Sequence, residues 1–247
     1  MSKVLIVVES SGDGIDDSPT LVRMVSVLTQ VITTSTYPHV TVQVVKADTL
    51  EQIGDVNLDS ESSKVQLALR EVLLCPLTLS LPDPLPLPFP AKRIYQTCRD
   101  VPGLRQRLAQ QLRVGIADGC FWLPVVMTAK GPLYGEVISL AAAKMPEDRS
   151  LCNLSYYQPF HLSDATKQQL YQMGHCLLQL LSAPPATYLM QFAFQDSEIC
   201  FDRLWPFPAP PAIASLGVQE PDLFTCHWYC LNRLPVLDLT IIPSVAD

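Results

Sequence analysis

The apolar pattern opens with Val4 to Val8, a continuous run rich in β-branched residues that suits a strand buried on both faces. Asp17-Ser18-Pro19 then reads as a helix start, with Ser18 as N-cap and Pro19 at the first helical position. Leu21, Met24, Val25, Leu28, Val31 and Ile32 follow at helical spacing, and Val40 to Val45 alternates as a second strand. Residues 46–63 are polar and acidic, a loop with a helical turn, and Lys64 to Leu74 reads as a short helix. This opening predicts a small α/β unit over residues 1–75.

Pro82, Pro84, Pro86, Pro88 and Pro90 stand at alternating positions after Pro76. Each removes a backbone donor, so the stretch cannot lie inside a sheet and is expected to be extended. It reads as a stiff connector over residues 76–90, because the leucines between the prolines can pack against the body of the protein; the other reading is a ligand for an aromatic-groove domain.

Beyond it the pattern predicts a strand over Lys92–Cys98, a helix over Val101–Leu112, and a hairpin of Trp122–Ala129 with Tyr134–Ala142 about Lys130-Gly131-Pro132. A helix follows, opened by Ser163 and running to Leu181, then strands Thr187–Phe194 and Glu198–Leu204 about Gln195-Asp196-Ser197. Strands and helices in this order give an α/β (α+β) protein: a small N-terminal unit, then a mostly antiparallel sheet over residues 91–247 with helices on one face.

Several fragments in sequence order carry a resemblance. They are Val125-Val-Met-Thr-Ala-Lys-Gly-Pro-Leu-Tyr-Gly-Glu, Gln158-Pro159 with the helix containing Gly174, Met190-Gln191-Phe192, Phe201-Asp-Arg-Leu-Trp-Pro, and Gly217-Val-Gln-Glu-Pro-Asp-Leu-Phe ahead of Leu234-Pro235. Together, over roughly residues 90–240, the chain resembles the central and C-terminal part of ATP-grasp enzymes, most nearly the biotin carboxylase branch. That resemblance implies two carboxylates on adjacent strands, with an Asn two residues past the second, holding Mg²⁺ between ATP phosphates. The corresponding positions here are Gln191, Arg203 and Trp205. Phe207 stands where the branch has a functional Arg, and the proline ladder replaces the family's Gly-rich phosphate flap.

The substitutions change the chemistry. Mg²⁺ takes carboxylate and phosphate oxygens. Gln191 offers one neutral carbonyl oxygen, and Arg203 offers no acceptor at all. Two like unit charges about 4 Å apart repel by about 4 kcal/mol at an effective dielectric of 20, and a divalent ion facing Arg203 fares worse. Metal-assisted phosphoryl transfer is therefore not expected, and no bound metal or cofactor is expected.

Other chemistry is sparse. The four histidines lie outside any nucleophile motif, and Glu198 and Asp202 are among the few acids near the altered site. Asp202 and Arg203, as successive strand residues, are expected to face opposite sides. Cys226-His227-x-x-Cys230 lacks a second ligand pair for zinc, and Gly12-x-Gly14 lacks the rest of a phosphate-loop signature. A formal net charge of −7 argues against nucleic acid. The first apolar run ends at Glu9, too short for a secretory core or a membrane span, so a soluble cytoplasmic protein without membrane insertion is expected.

Two functional readings remain. A non-catalytic interaction or regulatory protein would bind a protein partner or a second copy of itself, with Trp205 and Phe207 as anchors stiffened by neighbouring prolines; alternatively these two rings fill the space a nucleotide would occupy. An ATP-binding protein that does not turn ATP over and holds no tightly bound Mg²⁺ would place Arg203 on a phosphate with Lys92, Arg93 and Lys130 in support, and a divergent ATP-dependent carboxylate ligase is the enzymatic alternative.

Overall fold

The computed structural model describes residues 3–11, 14–15, 18–35, 40–50, 72–85, 87–140 and 155–243. The chain divides into two compact units, Met1–Arg99 and Asp100–Asp247, so residues 76–90 belong to the first of them.

In the first unit β1 (Lys3–Val8) is the central strand of a parallel sheet. A small hairpin of β2 (Ser10–Ser11) and β3 (Gly14–Ile15) follows, then α1 (Pro19–Ser35). Ser18 accepts the Leu21 N–H through Oγ and caps α1, with Pro19 at the first helical position as the sequence indicates. Met24, Leu28 and Ile32 make its buried stripe. The next two strands, β4 (Thr41–Lys46) and β5 (Val72–Pro76), pair with β1 on its two sides in parallel. Flanked on both sides, Val4 to Val8 are buried without alternation.

Two local expectations are corrected here. The end of the expected Lys64–Leu74 helix is strand β5, because Val72-Leu-Leu-Cys finds the open edge of β1; residues 64–71 lie outside the described residues. Pro76 closes that strand at an edge of the described sheet, where a missing N–H costs little. The expected strand Lys92–Cys98 is α2 (Lys92–Arg99). Ile94, Tyr95 and Cys98 share one buried face at helical spacing. The proline segment is tied to this helix. Lys92 Nζ and Gln96 Nε2, one helical turn apart, bind the two carboxylate oxygens of Asp83 at 2.7 and 2.8 Å. Arg99 donates to the Leu81 carbonyl and Tyr95 to the Pro76 carbonyl.

The second unit begins with α3 (Val101–Gln111), capped by Asp100. Its strands are β6 (Gly115–Ile116), β7 (Phe121–Thr128), β8 (Gly131–Tyr134), β9 (Val137–Leu140) and β10 (Tyr156–Phe160), followed by α4 (Asp164–Leu180). Ser163 caps α4. Then come β11 (Ala186–Gln195), β12 (Glu198–Trp205), a 3₁₀ turn at Pro210–Ser215, β13 (Gln219–Glu220), α5 (Leu223–Leu231) and β14 (Thr240–Ile241), which pairs with β13. Among the described residues the main sheet runs β10-β9-β7-β11-β12-β6, with β8 also on β7. All its pairs are antiparallel except β12 with β6.

The partner strand expected over Tyr134–Ala142 starts earlier, at Gly131, and is interrupted between β8 and β9, and the cause is Pro124; residues 141–142 lie outside the described residues. The Pro124 carbonyl accepts from the Gly135 N–H. In an antiparallel strand a residue's N–H and C=O face the same neighbour, so the donor missing from Pro124 falls on that side as well. The partner is interrupted there, at Gly135–Glu136.

Helices cover both faces of this sheet. Gly174 of α4 lies against Leu123 and Val125 of β7. Thr187 donates through Oγ1 to the Leu223 carbonyl of α5, and Thr187 pairs across the strands with Val126, which points away from Val125. α5 thus departs from the one-sided arrangement.

α5 also buries His227, whose Nδ1 accepts the Thr187 N–H at 3.2 Å. Burial drives this histidine down to about 3, below its ordinary 6.5. An unfolded chain takes up the proton below about 6.5 whereas the folded one does not until near 3, so acid favours unfolding. Stability is expected to fall by up to about 1.4 kcal/mol per pH unit from this group alone below pH 6.5. Denaturant melts at pH 7, 6 and 5 check this: His227→Asn, which keeps an acceptor, should show a flatter profile than the parent.

Candidate functional site

The site is built on one irregularity in the β11–β12 pair. Gln191 lies opposite Arg203, but Phe192 lies opposite Phe201, so Asp202 is an extra residue. Such a bulge breaks the alternation of side chains. Asp202 and Arg203, expected on opposite sides, instead bond each other, Arg203 Nε to Asp202 Oδ1 at 3.2 Å.

Asp202 is buried at 1% exposure, so its charge needs compensation. Arg105 of α3 provides it: Nη2 meets Asp202 Oδ1 at 2.5 Å, and Nε donates to the Asp202 carbonyl at 2.9 Å. The second carboxylate oxygen takes the Gly119 N–H at 2.8 Å. Arg105 also reaches the exposed Asp118 at 2.6 Å, which holds the Asp118 carboxyl below its usual range and raises Arg105. Gly119 passes so close to β11 that a Cβ would lie 2.1 Å from the Phe192 carbonyl oxygen, so no side chain fits.

The three positions expected to replace the metal ligands do come together. Gln191 Nε2 donates to the Gly119 carbonyl at 2.6 Å, and Gln191 Oε1 accepts from Trp205 Nε1 at 3.1 Å. Both partners have one possible polarity, so they fix the amide's orientation. The Arg203 guanidinium lies 5.8 Å from the Trp205 ring centre, a cation–π distance. Phe207 packs edge-on to Trp205 at 6.0 Å.

This geometry does not fit Mg²⁺. Gln191 offers a single neutral amide oxygen, one lone pair of which holds the indole N–H, and its neighbour is a cation. Asp202, the nearest carboxylate, has both oxygens taken by Arg105, Arg203 and Gly119. Among the described residues no three His, Cys, Asp or Glu side chains are grouped to hold a metal ion.

The remaining candidates scatter. Lys92 is paired with Asp83 in the first unit, and Arg93 lies beside it on α2. Lys130 sits in the β7–β8 turn. Gln191 is opposite Trp122, and Thr128 is six residues farther along β7, about 20 Å at ~3.3 Å per residue, so Lys130 does not join Arg203. Phe207 is buried at 2%, which corrects its reading as an exposed anchor, while Trp205 is half-buried. Glu198 is exposed at the start of β12. Burial pushes the thiols of Cys75, Cys98 and Cys230 up to about 12, which leaves them as unreactive core groups.

Arg105, Gly119 and the structural role of Asp202 escaped the sequence reading. Arg105 is 97 positions from Asp202, and no local spacing links them. The Gly at 119 between Asp118 and Cys120 was the one available sign of a close backbone approach.

No protein-family model matches the chain, and no curated protein matches it in sequence. Solved structures do. L-amino acid ligase from Bacillus licheniformis aligns with a TM-score of 0.63 and 10% identity, over 93% of this chain and 74% of that one. N5-carboxyaminoimidazole ribonucleotide synthetase from Thermotoga maritima gives 0.61 and 9%, over 96% and 78%. Glycinamide-RNase-transformylase T from Mycobacterium tuberculosis gives 0.58 and 15%, over 96% and 82%. All three are ATP-grasp enzymes. The chain has an ATP-grasp-like fold. At these identities the likeness concerns the fold alone, and it extends through the first unit as well as the second.

Two substitutions separate the parts of the cluster. Arg105→Ala leaves the Asp202 charge buried without its main partner, and an expected loss of about 3–5 kcal/mol follows. Trp205→Ala removes a half-buried ring and one hydrogen bond, with an expected loss of about 2 kcal/mol, below that of a fully buried aromatic. Urea melts of both variants against the parent give the comparison.

Proposed function

We propose that this chain is a non-catalytic interaction or regulatory protein on an ATP-grasp-like fold, in which a hydrogen-bonded cluster has replaced the metal site. The observation that carries this reading is the pair of bonds on Gln191, to Gly119 and to Trp205, opposite the cation Arg203. A phosphoryl-transfer site must leave acceptor oxygens open for Mg²⁺ and offset charge in the transition state. Here the one amide oxygen is neutral and already shared with Trp205, and the fixed charge opposite it has the wrong sign for a metal.

With catalysis set aside, the cellular role is carried by contact with a partner: another protein or a second copy of this chain. The acidic balance disfavours nucleic acid, and no described helix is long and apolar enough to cross a membrane. Because Phe207 is buried, the anchor on this face is the half-buried Trp205 together with Arg203. Trp and Arg are the residue types that dominate binding energy at interfaces.

A divergent ATP-dependent ligase is the competing reading. It draws on the neighbours, two of which are named as a ligase and a synthetase and are matched over more than nine-tenths of this chain. Calorimetry with ATP, with and without Mg²⁺, separates the two. The expected result is no Mg²⁺-dependent binding by the parent. The triple variant Gln191→Glu, Arg203→Glu, Trp205→Asn should gain it, since it restores two carboxylates and an amide oxygen. Metal-dependent micromolar binding or ATP turnover by the parent would reverse the assignment.

A further inference from the structure

Single exposed apolar side chains are ordinary on a protein surface, whereas several close together mark a contact. Of the five large apolar side chains exposed among the described residues, three lie between positions 234 and 242: Leu234 at 42%, Leu237 at 82% and Ile242 at 41%. The backbone that carries them is fastened at both ends. Arg233 takes the left-handed conformation at φ 56°, and the N–H groups of Arg233 and Leu234 close α5 on the Cys230 and Tyr229 carbonyls. Farther on, β14 pairs with β13, and the Ile242 N–H donates to the Val218 carbonyl. Val236 is buried between the two ends, with Pro235 and Leu237 exposed on either side of it. Docking onto Leu237 therefore orders little chain.

The charges around these leucines run in a definite direction. Arg233 stands before Leu234-Pro235-Val236-Leu237 and Asp238 after it; both are exposed. Neither forms an ion pair among the described residues. A segment positive at one end and negative at the other complements itself when reversed. We infer that residues 233–238 are a self-association surface, on which a second copy of the chain packs antiparallel about a twofold axis. Leu234 and Leu237 meet their counterparts at the centre, and Arg233 of each copy lies beside Asp238 of the other. Such a contact is isologous: one patch serves both sides and the assembly closes at two. A parallel arrangement would set like charges together, and a net charge of −7 disfavours unspecific encounter, so the two matched pairs set the register. A patch of so few side chains is below the size of a permanent interface, and the association is weak, with a dissociation constant on the order of 100 µM.

The inference goes beyond the metal-free reading and uses none of its geometry. A strictly monomeric chain sinks this one alone, whereas Mg²⁺-dependent ATP binding sinks that reading and leaves this surface standing. The experiment is sedimentation equilibrium on the full chain from about 10 to 500 µM at low salt, where the charge pairs are little screened. A monomer–dimer equilibrium is expected. Leu237→Asp, at a position 82% exposed and so tolerated by the fold, should weaken it about tenfold or more. Arg233→Asp and Asp238→Arg should each weaken it similarly, because either sets two like-charged pairs across the axis, and Asp accepts the left-handed conformation at 233. An equimolar mixture of Arg233→Asp with Asp238→Arg should dimerise about as tightly as the parent, since every pair across the axis is then opposite in sign. Recovery on mixing is a result that a purely structural role for these residues would not give. A chain that stays monomeric over the whole range, dimerisation unchanged in Leu237→Asp, or a mixture no more associated than its two components overturns the inference.

Discussion

A carboxylate taken out of water must be matched, and in the second unit that carboxylate is Asp202. It arises because β12 carries one more residue than β11 between Arg203 and Phe201, so a side chain that would alternate away is turned beside its neighbour. Its compensation comes from three places in the sequence: Arg105 on α3, the Gly119 amide ahead of β7, and Arg203 itself. Each contact also fastens an element. Arg105 binds α3 to β12 twice, and Gly119 is bonded to β12 through its N–H and to β11 through its carbonyl. The loop between β6 and β7, the helix and the two strands are thereby set around one charge.

The functional consequences follow from that arrangement. Gln191 spends its amide on Gly119 and Trp205, so the face expected to hold a cation offers it no ready ligand. Arg203 is fixed by Asp202 and Trp205, and with Arg105, Asp118 and Asp202 it completes a cluster of two guanidinium groups and two carboxylates. Gln191 and Arg203 together present a neutral amide and a guanidinium on paired strands, within an ATP-grasp-like fold.

The fold was legible where local pattern and global position agree. Val4 to Val8, α1 with its Ser18 cap, α4 with its Ser163 cap, and the β11–β12 hairpin all carry their signal within a few residues. Lys92–Arg99 was misread because its apolar residues are few, and a short run spaced i, i+1, i+4 fits a strand nearly as well as a helix. Val72–Pro76 was misread because the edge of β1 it joins lies some seventy residues away. The break at Gly135 depends on Pro124, whose effect is visible only once the two are opposite each other.

The amino-acid sequence by itself determined the identity of the groups at the altered site. An amide, a guanidinium and an indole stand at Gln191, Arg203 and Trp205, and residue type alone decides that they cannot coordinate a hard cation as carboxylates do. Tertiary structure decided what they do instead. Whether Trp205 donates to Gln191 or to solvent, whether Arg203 meets Asp202 or faces away from it, and whether Phe207 is outside or in all depend on a single extra residue in β12 and on an arginine 97 positions away. Hydrogen bonds and buried charge act over a few ångströms, and chain distance carries no information about which groups will come within that range until the strands are in register.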